Sequence, residues 1–247
     1  MSEHRPHPGG PYFEEVAERL GSAYLRYDFT KGSAQEVTFL VELLDLPPEA
    51  RLLDVGCGPG RHAVPLAEAG YAVVGIDVSR PFLDLAAEAA RRAGVGAGFF
   101  QVDARQMPFD DEFDAVVSIC QGAFGLMGKD DALILRRMRE AVKPGGRVIV
   151  TAFSAYHAAR YQTDAHLDAE EGIVHEDTTV RDPTGAEHPV EVWTSVYTPR
   201  ELRLLAIGVG LIPEHVWSVS PGDFARRRPD VDHHEFMLVA RRPGRDD

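Results

Sequence analysis

Cysteine and long apolar runs are both scarce in this sequence, and each scarcity excludes a class of protein. The 247 residues include two cysteines, Cys57 and Cys120, and they do not form a Cys-x-x-Cys pair. Neither a disulfide framework nor a zinc site is therefore indicated. No run approaches the roughly 18 apolar residues of a membrane span, and the N-terminus lacks the apolar stretch of a signal peptide. We expect a cytoplasmic protein with no membrane partner.

Positive charge is also in short supply. Lysine and arginine total 26 against 39 aspartates and glutamates, which gives a formal net charge of −13. Proteins that clamp nucleic acid present a basic face. The local basic clusters here are interpreted as a solvated helix face at 136–137 and as a loop able to steer an anion at 226–228, which leaves a short nucleic acid open. The charge balance therefore argues against a bulk nucleic-acid partner.

The most informative stretch is residues 52–60, which read LLDVGCGPG. An apolar run ends at Asp54, and Gly56, Gly58 and Gly60 then alternate with small residues. Glycine permits positive φ and lets a ligand approach bare backbone. Apolar residues recur at helical spacing after Arg61. A strand, a glycine turn and a helix form the nucleotide-binding unit of a doubly wound sheet.

Two cofactors fit a glycine turn that is followed by an acid. The next strand, residues 72–77, ends in Asp77, which can accept both hydroxyls of a ribose. A nicotinamide dinucleotide requires Gly-x-Gly-x-x-Gly, but the third glycine arrives one residue early and Arg61 stands in its place. Asp54 would repel a pyrophosphate, whereas it suits a ligand that carries an ammonium group.

The stretch 52–60 resembles motif I of the class I S-adenosylmethionine-dependent methyltransferases, apolar-apolar-Asp-x-Gly-x-Gly-x-Gly. Later segments fall where that family has them: residues 98–104 read GFFQVDA, residues 113–120 read FDAVVSIC and residues 143–150 read KPGGRVIV. The resemblance covers about residues 35–155 by motif and the rest by architecture. It implies S-adenosyl-L-methionine as cofactor and S-adenosyl-L-homocysteine as product.

Alternating strands and helices predict an α/β fold, a three-layer Rossmann-like doubly wound sheet of about seven strands. We expect mostly parallel strands, an antiparallel last strand and a β-hairpin inserted after strand five. One domain should span 1–247. Within it we expect a flexible arm over 1–10, N-terminal helices over 11–46, a cofactor-binding core over 50–155, a substrate-side insertion over 156–199, and the last helix and strands over 200–242.

Apolar residues recur at helical spacing over 11–29, among them Phe13, Val16 and Leu20, and predict a helix there. Helix-start signals are present at two further places. Ser33 and Glu36 have the spacing of a capping box, so Ser33 is predicted to cap the helix that follows. Thr198 and Pro199 predict the N-cap and first residue of the last helix.

The resemblance implies a set of cofactor-binding residues. Asp54 would orient the glycine turn or meet the ammonium group, Asp77 would hold the ribose, and Asp103 with Ala104 would read the adenine edge. The full set is Asp54, Gly56, Cys57, Gly58, Gly60, Asp77, Val78, Asp103, Ala104, Cys120 and Gln121, joined by Tyr27, Lys31 and Gly32 from an N-terminal turn that would cover the cofactor.

The acceptor is less legible. After strand four the chain lacks both the Asn/Asp-Pro-Pro-aromatic motif of amino-methylating nucleic-acid enzymes and the Pro-Cys nucleophile of cytosine C5 enzymes. The remaining hypothesis is methyl transfer to an oxygen or nitrogen atom of a small molecule. His157 is a weak candidate for a base, and Tyr156, Trp193 and Tyr197 are candidates for the substrate side.

Adjacent histidines such as His233 and His234 point to opposite faces of a strand, so no metal site is predicted. Two alternatives stay open, a cofactor-binding module without catalysis and an NAD-dependent oxidoreductase. The oligomeric state, monomer or homodimer, is not specified by the sequence.

Overall fold

The computed structural model describes residues 7–9 and 12–244, and within them seven α-helices and eleven β-strands alternate. The strands are β1 Arg51–Val55, β2 Ala72–Asp77, β3 Ala97–Gln101, β4 Phe113–Ser118, β5 Val142–Ser154, β6 His166–Asp168, β7 Ile173–Arg181, β8 Glu187–Tyr197, β9 Ile212–Ser220, β10 Asp223–Arg227 and β11 Glu235–Arg241. The helices are α1 Phe13–Leu20, α2 Ser33–Leu44, α3 Ala63–Glu68, α4 Arg80–Ala93, α5 Asp131–Ala141, α6 Ala155–Tyr161 and α7 Pro199–Gly208.

The central sheet has the order β10-β9-β11-β5-β4-β1-β2-β3. β1 pairs in parallel with β2 and β4, and β2–β3 and β4–β5 are also parallel. β11 is antiparallel to both neighbours, β5 and β9. The expected Rossmann-like fold with an antiparallel last strand is confirmed.

The sheet has one more strand in its row than the expected seven. β10 is a short edge strand that pairs with β9 through an irregular register. Its residues, DFARR, show no apolar alternation because both ends of the strand are charged. Short, charged edge strands of this kind give little sequence signal.

The insertion after β5 forms the expected hairpin, with β7 and β8 paired over nine residues. β8 then leaves the hairpin and pairs in parallel with β5, Val196 opposite Phe153 and Tyr197 opposite Ser154. The hairpin is therefore continuous with the central sheet. Among the described residues, β6 adds a third strand to it.

The N-terminal helix is shorter than the periodicity over 11–29 predicts. α1 ends at Gly21, whose φ of 45° breaks the helix, and two 3-10 segments follow, Gly21–Arg26 and Asp28–Thr30. Of the arm expected over 1–10, residues 1–6 and 10 lie outside the described residues. His7 packs edge-on against Tyr12, and its Nε2 lies 3.0 Å from the carbonyl oxygen of Leu126.

The capping box expected at Ser33 is wrong. Gly32 is the N-cap of α2, and the Ser33 hydroxyl donates to the carbonyl oxygen of Thr30 at 2.8 Å. Glu36 does not reach back to the backbone because its side chain turns inward, where it is fully buried.

The capping box at the start of α7 forms as predicted. The Thr198 hydroxyl accepts from the Glu201 amide at 3.2 Å, and the Glu201 carboxylate accepts from the Thr198 amide at 2.7 Å. We expect Thr198→Ala to lower the free energy of unfolding by about 1 kcal/mol, measured by urea denaturation. The same change at exposed Thr163 should cost much less, and equal losses at both sites would contradict a capping role.

The two faces of the sheet carry separate apolar layers. One packs β-strand residues against α5 and α7, with Ile134, Met138 and Leu202 fully buried; the other packs them against α2 and α3, with Leu40 and Leu66 fully buried. This two-sided cover is what a parallel sheet requires. In the described part of the chain, no helix combines the length and apolarity needed to cross a membrane.

Candidate functional site

A cavity of about 680 Å³ opens along the edge of the sheet where the parallel strands end. Ligand sites commonly enclose roughly 300–1,000 Å³. Residues that follow β1, β2, β3 and β4 line one half, and residues from β5, β9 and β11 line the other. Because β11 is antiparallel, its first residue reaches this same edge. The topology therefore places both halves at the crevice where doubly wound sheets bind ligands.

The glycine turn after β1 and Asp77 form one wall of the first half. Asp77 Oδ2 accepts from the Gly58 amide and Oδ1 from the Ser79 amide, both at 2.8 Å. Burial raises the pKa of Asp77 to about 6, against the lowering effect of those amides. The carboxylate is thus held rigidly beside the turn while it faces the cavity.

Gly56 has no room for a side chain. Its φ is +74°, and a Cβ there would lie 2.0 Å from the carbonyl carbon of Gly122 and 2.1 Å from its oxygen. The turn after β1 therefore packs backbone against backbone on the segment after β4. This contact brings both segments to the cavity wall.

The segment after β4 carries two strained residues. Cys120 and Gln121 have φ values of 53° and 52°, the left-handed region that non-glycine residues seldom adopt. The Cys120 amide donates to Thr151 Oγ1 at 2.7 Å, which helps to hold the turn. Strain of this kind concentrates at binding sites, and both residues line the cavity.

Asp54 sits at the end of β1 and is 2% exposed. Burial raises its pKa to about 7, with Arg61 lowering it and Asp77 raising it further. Its Oδ2 has no hydrogen-bond partner among the described residues. A buried carboxyl with a free oxygen is suited to a cationic group.

A polar cluster of Glu36, Arg61 and His62 supports the turn from behind. Arg61 Nη1 donates to Glu36 Oε2 at 2.9 Å, and His62 Nε2 lies 2.6 Å from the same oxygen. Burial, then Arg61, lowers the pKa of His62 to about 4, so the neutral ring donates its Nε2 proton to the carboxylate. The Gly222 amide donates to Oε1 at 2.8 Å.

Glu36, His62 and Cys120 have ligand atoms within 4.8 Å of one another. The Arg61 guanidinium already bonds the Glu36 oxygen they share, and a cation there would face that positive charge. The ion pair between Arg61 and Glu36 therefore accounts for the position of the shared carboxylate.

Aromatic rings line one side of the cavity. Tyr24 lies 5.3 Å from Phe29 and 5.0 Å from Phe82, measured between ring centroids, and Phe13 lines the same side. Val192 and Thr194 of β8 contribute another wall. The N-terminal segment and the hairpin thus both contribute walls to the cavity.

Half of the cofactor-binding residues predicted from the sequence line this cavity: Gly56, Gly58, Asp77, Val78, Ala104, Cys120 and Gln121. The others lie behind it or beside it. The Asp103 carboxylate, expected at the adenine, is held by Arg105 at 2.6 Å, while its neighbours Val102 and Ala104 line the space. Cys57 packs against Gly75 of β2, and Gly60 packs against Ala86 of α4.

The N-terminal candidates also lie away from the cavity wall. The Tyr27 hydroxyl accepts from the Arg181 amide at 3.2 Å, Lys31 pairs with Asp28, and Gly32 packs against the Gly222 backbone. The same segment supplies Tyr24, Asp28 and Phe29 instead. The 3-10 segments change which side chains face inward, and helical periodicity does not anticipate that change.

The substrate-side candidates have structural contacts. Trp193 packs on His175 at 4.7 Å, and Tyr197 stacks on Phe124 and donates to Asp131 Oδ2 at 2.8 Å. Tyr156 is 42% exposed. None of these three lines the cavity.

His157, the candidate base, lies on α6 with its ring 4.3 Å from that of His234. His234 lines the cavity and His157 does not. His233 contacts Asp230 at 2.8 Å. His233 and His234 both lie in the bend before β11 and not on a strand, so the strand alternation assumed for them does not apply.

Sequence reasoning missed the polar group of the second half, Ser220, His234 and Glu235. A signal was present. A histidine and a glutamate directly precede the apolar run FMLVA, and an antiparallel last strand brings its first residues to the ligand-binding edge.

Comparisons with known proteins agree with this geometry. Residues 52–146 match the family described as "Methyltransferase domain". The chain is 33% identical over 131 residues to the putative methyltransferase YqeM of Bacillus subtilis, covering 52% of this chain and 53% of that protein. It is 32% identical over 167 residues to a demethylmenaquinone methyltransferase of Streptomyces avermitilis, covering 64% and 66%. The chain thus spans about half of the first of these relatives and two thirds of the second.

Solved structures extend the likeness over the whole fold. The CcbJ methyltransferase from Streptomyces caelestis aligns with a TM-score of 0.74 at 21% identity, covering 95% of this chain and 98% of that one. An S-adenosylmethionine-dependent methyltransferase from Clostridium acetobutylicum aligns with a TM-score of 0.70 at 16% identity, covering 94% and 98%. At these identities the likeness concerns the fold.

Residues 52–146 match a methyltransferase domain, in agreement with the resemblance of the sequence to the class I S-adenosylmethionine-dependent methyltransferases. S-adenosylmethionine is the cofactor of that family, and the first half of the cavity fits it. Gly56 and Gly58 leave the backbone bare and Asp77 presents a fixed carboxylate, while Asp54, whose Oδ2 has no partner in the described residues, does not line the cavity. The individual roles of these residues stay predictions.

Proposed function

We propose that this protein is an S-adenosylmethionine-dependent methyltransferase that methylates an oxygen or nitrogen atom of a small molecule. The observation that supports it best is a single cavity with two different halves. One half carries the glycine turn and Asp77, and the other is apolar apart from a few buried polar groups. This is the space that a cofactor and an acceptor would share.

In this proposal the protein positions the two reactants and excludes water from the site. A bound S-adenosylmethionine brings an electrophilic methyl group on a sulfonium, which is already a good leaving group. Gly56 and Gly58 would admit its amino-acid and ribose parts, Asp77 would accept hydrogen bonds from the ribose hydroxyls, and Asp54, which does not line the cavity, would orient the glycine turn. Phe13, Tyr24 and Phe29 exclude water, and alignment of the two reactants provides much of the acceleration.

The first experiment is calorimetric titration of the purified protein with S-adenosylhomocysteine, with NAD⁺ as the control ligand. Saturable binding of S-adenosylhomocysteine alone is the expected result. Binding of NAD⁺ alone would favour the oxidoreductase alternative, and binding of neither would contradict the proposal. Binding without turnover across a broad acceptor panel would favour the non-catalytic module.

Asp77→Asn tests the cofactor site. The variant loses a carboxylate that already orders the Gly58 and Ser79 amides, so it loses charge-assisted hydrogen bonds to ribose as well. S-adenosylhomocysteine binding should weaken by about 1–3 kcal/mol. Asp110→Asn, at an exposed position, should leave it unchanged. Wild-type affinity in a folded Asp77→Asn variant would refute the assignment.

A carbon acceptor is the second candidate. It is favoured by the identity to a demethylmenaquinone methyltransferase and to a ubiquinone/menaquinone biosynthesis C-methyltransferase of Ectopseudomonas mendocina, 32% over 152 residues. With a ¹³C-labelled methyl donor, the chemical shift of the transferred methyl group distinguishes bonding to carbon, nitrogen and oxygen.

A further inference from the structure

Glu235 is a buried acid that the fold itself does not explain. It begins β11, is 1% exposed and lines the second half of the cavity. Its Oε2 has no hydrogen-bond partner among the described residues. Burying such an atom is costly unless a ligand satisfies it. Glu36, the other deeply buried glutamate nearby, has partners on both oxygens.

A complementary donor faces the same space. Gln121 is 8% exposed, lines the cavity, and has no hydrogen-bond partner for its Nε2 within the described part of the chain. Its left-handed φ shows that the backbone is strained to present this side chain. The Gln121 amide also lies close enough to Glu235 to lower the pKa of its carboxyl group, so a ligand group placed between them would satisfy both unpartnered atoms.

The surroundings of Glu235 bring its pKa close to neutral pH. Burial raises its pKa to about 7, while Gln121, Thr151 and the more distant Arg61 lower it and the Glu36 charge raises it. The other titratable groups packed around it are the Cys120 thiol, whose own pKa is raised by burial and by Glu235, and the adjacent His234 imidazole. A proton acceptor works best when its pKa lies near the working pH.

We propose that Glu235 and Gln121 form the subsite that binds the nucleophilic O–H or N–H group of the acceptor, and that Glu235 takes its proton. The inference rests on the proposed function. As the acceptor atom forms its bond to the methyl carbon, its proton passes to the Glu235 carboxylate and the electron pair of the broken carbon–sulfur bond stays on sulfur.

The same geometry describes the acceptor class. Apart from this subsite, the second half combines apolar side chains with a few polar ones, namely Phe153, Leu126, Met127, Val192 and Pro221 with Thr194, Ser220 and His234. An acceptor that fits it has a largely apolar body, one protonated oxygen or nitrogen at its end and few other polar groups. A highly charged acceptor would leave its charges unpaired against the apolar walls.

The test compares two cofactor analogues and needs no acceptor. Sinefungin carries a C–NH₃⁺ group where the cofactor has its sulfonium methyl, whereas S-adenosylhomocysteine has no group there. If Glu235 faces the transferred methyl, Glu235→Gln should weaken sinefungin at pH 8 by about tenfold or more and leave S-adenosylhomocysteine unchanged, both measured by calorimetry. Glu68→Gln, at an exposed position of α3, is the matched control.

The preference for sinefungin should also depend on pH. Glu235 is ionised above about pH 7, so the wild-type affinity ratio of sinefungin to S-adenosylhomocysteine should fall as the pH is lowered from 8 to 6. In Glu235→Gln the ratio should be flat. Glu235→Asp, which keeps the charge but withdraws it by one methylene, should weaken sinefungin only and serves if the glutamine variant fails to fold.

The other outcomes are separable. Equal weakening of both analogues would assign Glu235 to the amino-acid end of the cofactor and overturn the proposal. Unchanged binding of both would overturn it as well. Failure of the wild type to bind S-adenosylhomocysteine would refute the proposed function itself.

Discussion

Gly56→Ala should destabilise the protein by about 3 kcal/mol or more and abolish S-adenosylhomocysteine binding. The added Cβ would lie 2.0 Å from the backbone of Gly122. No side-chain rotation can relieve this contact, because the position of a Cβ is fixed by its own backbone. The turn after β1 and the segment after β4 would have to separate, which would open the cavity wall. Urea denaturation and calorimetry measure the two effects.

Gly94→Ala is the matched control for that substitution. Gly94 ends α4 with a φ of +72°, close to the +74° of Gly56, but a Cβ there meets nothing within 4 Å. It carries the backbone penalty alone, about 1 kcal/mol, and binding should be unaffected. If both variants lose the same stability and still bind, the close approach of Gly56 to Gly122 is not what holds the turn.

Glu36→Gln should cost about 3–5 kcal/mol of folding stability. The substitution leaves the nearly buried Arg61 guanidinium without the carboxylate 2.9 Å away. Arg61→Met combined with Glu36→Gln should recover much of the loss, because removing both charges also removes the desolvation penalty. Glu42→Gln, at an exposed position of the same helix, should be nearly neutral.

The stability difference between wild type and Glu36→Gln should depend on pH in a direction set by the pKa of Glu36. Burial acts to raise the pKa of Glu36, but His62, Arg61 and the Gly222 amide hold it below its ordinary value. Its contribution is therefore complete above the unfolded-state pKa of about 4.3 and is lost as the pH falls through the lower folded value. The difference between wild type and Glu36→Gln should shrink below about pH 4, and a difference independent of pH would contradict an ionic role.

The sequence anticipates the first half of the site much better than the second. Gly56, Gly58 and Asp77 lie within one strand-turn-helix-strand unit, so their spacing along the chain already determines their spacing in the fold. Glu235 reaches the same cavity from 179 residues beyond Gly56. Only pairing of β11 between β5 and β9 brings it there, and local patterns do not specify such pairing.

Two errors in detail have a common physical cause. Ser33 and Glu36 satisfy a capping rule, and the apolar residues over 11–29 satisfy a helical one, but tertiary contacts override both. The Arg61 guanidinium recruits Glu36 inward, and Gly21 ends α1 so that 3-10 turns carry Tyr24 and Phe29 to the cavity. Local rules describe an isolated segment, and a buried charge is a stronger constraint than a cap.

The pairing of β8 with β5 fixes the walls of the cavity before any ligand binds. Val192 and Thr194 of β8 line the acceptor half, and two residues later the same strand hydrogen-bonds to β5 of the central sheet. The walls that would hold the acceptor are therefore fixed to the strands that would hold the cofactor. The conformational entropy of ordering these walls is therefore lost during folding, so that binding of the two molecules does not have to order the site as well.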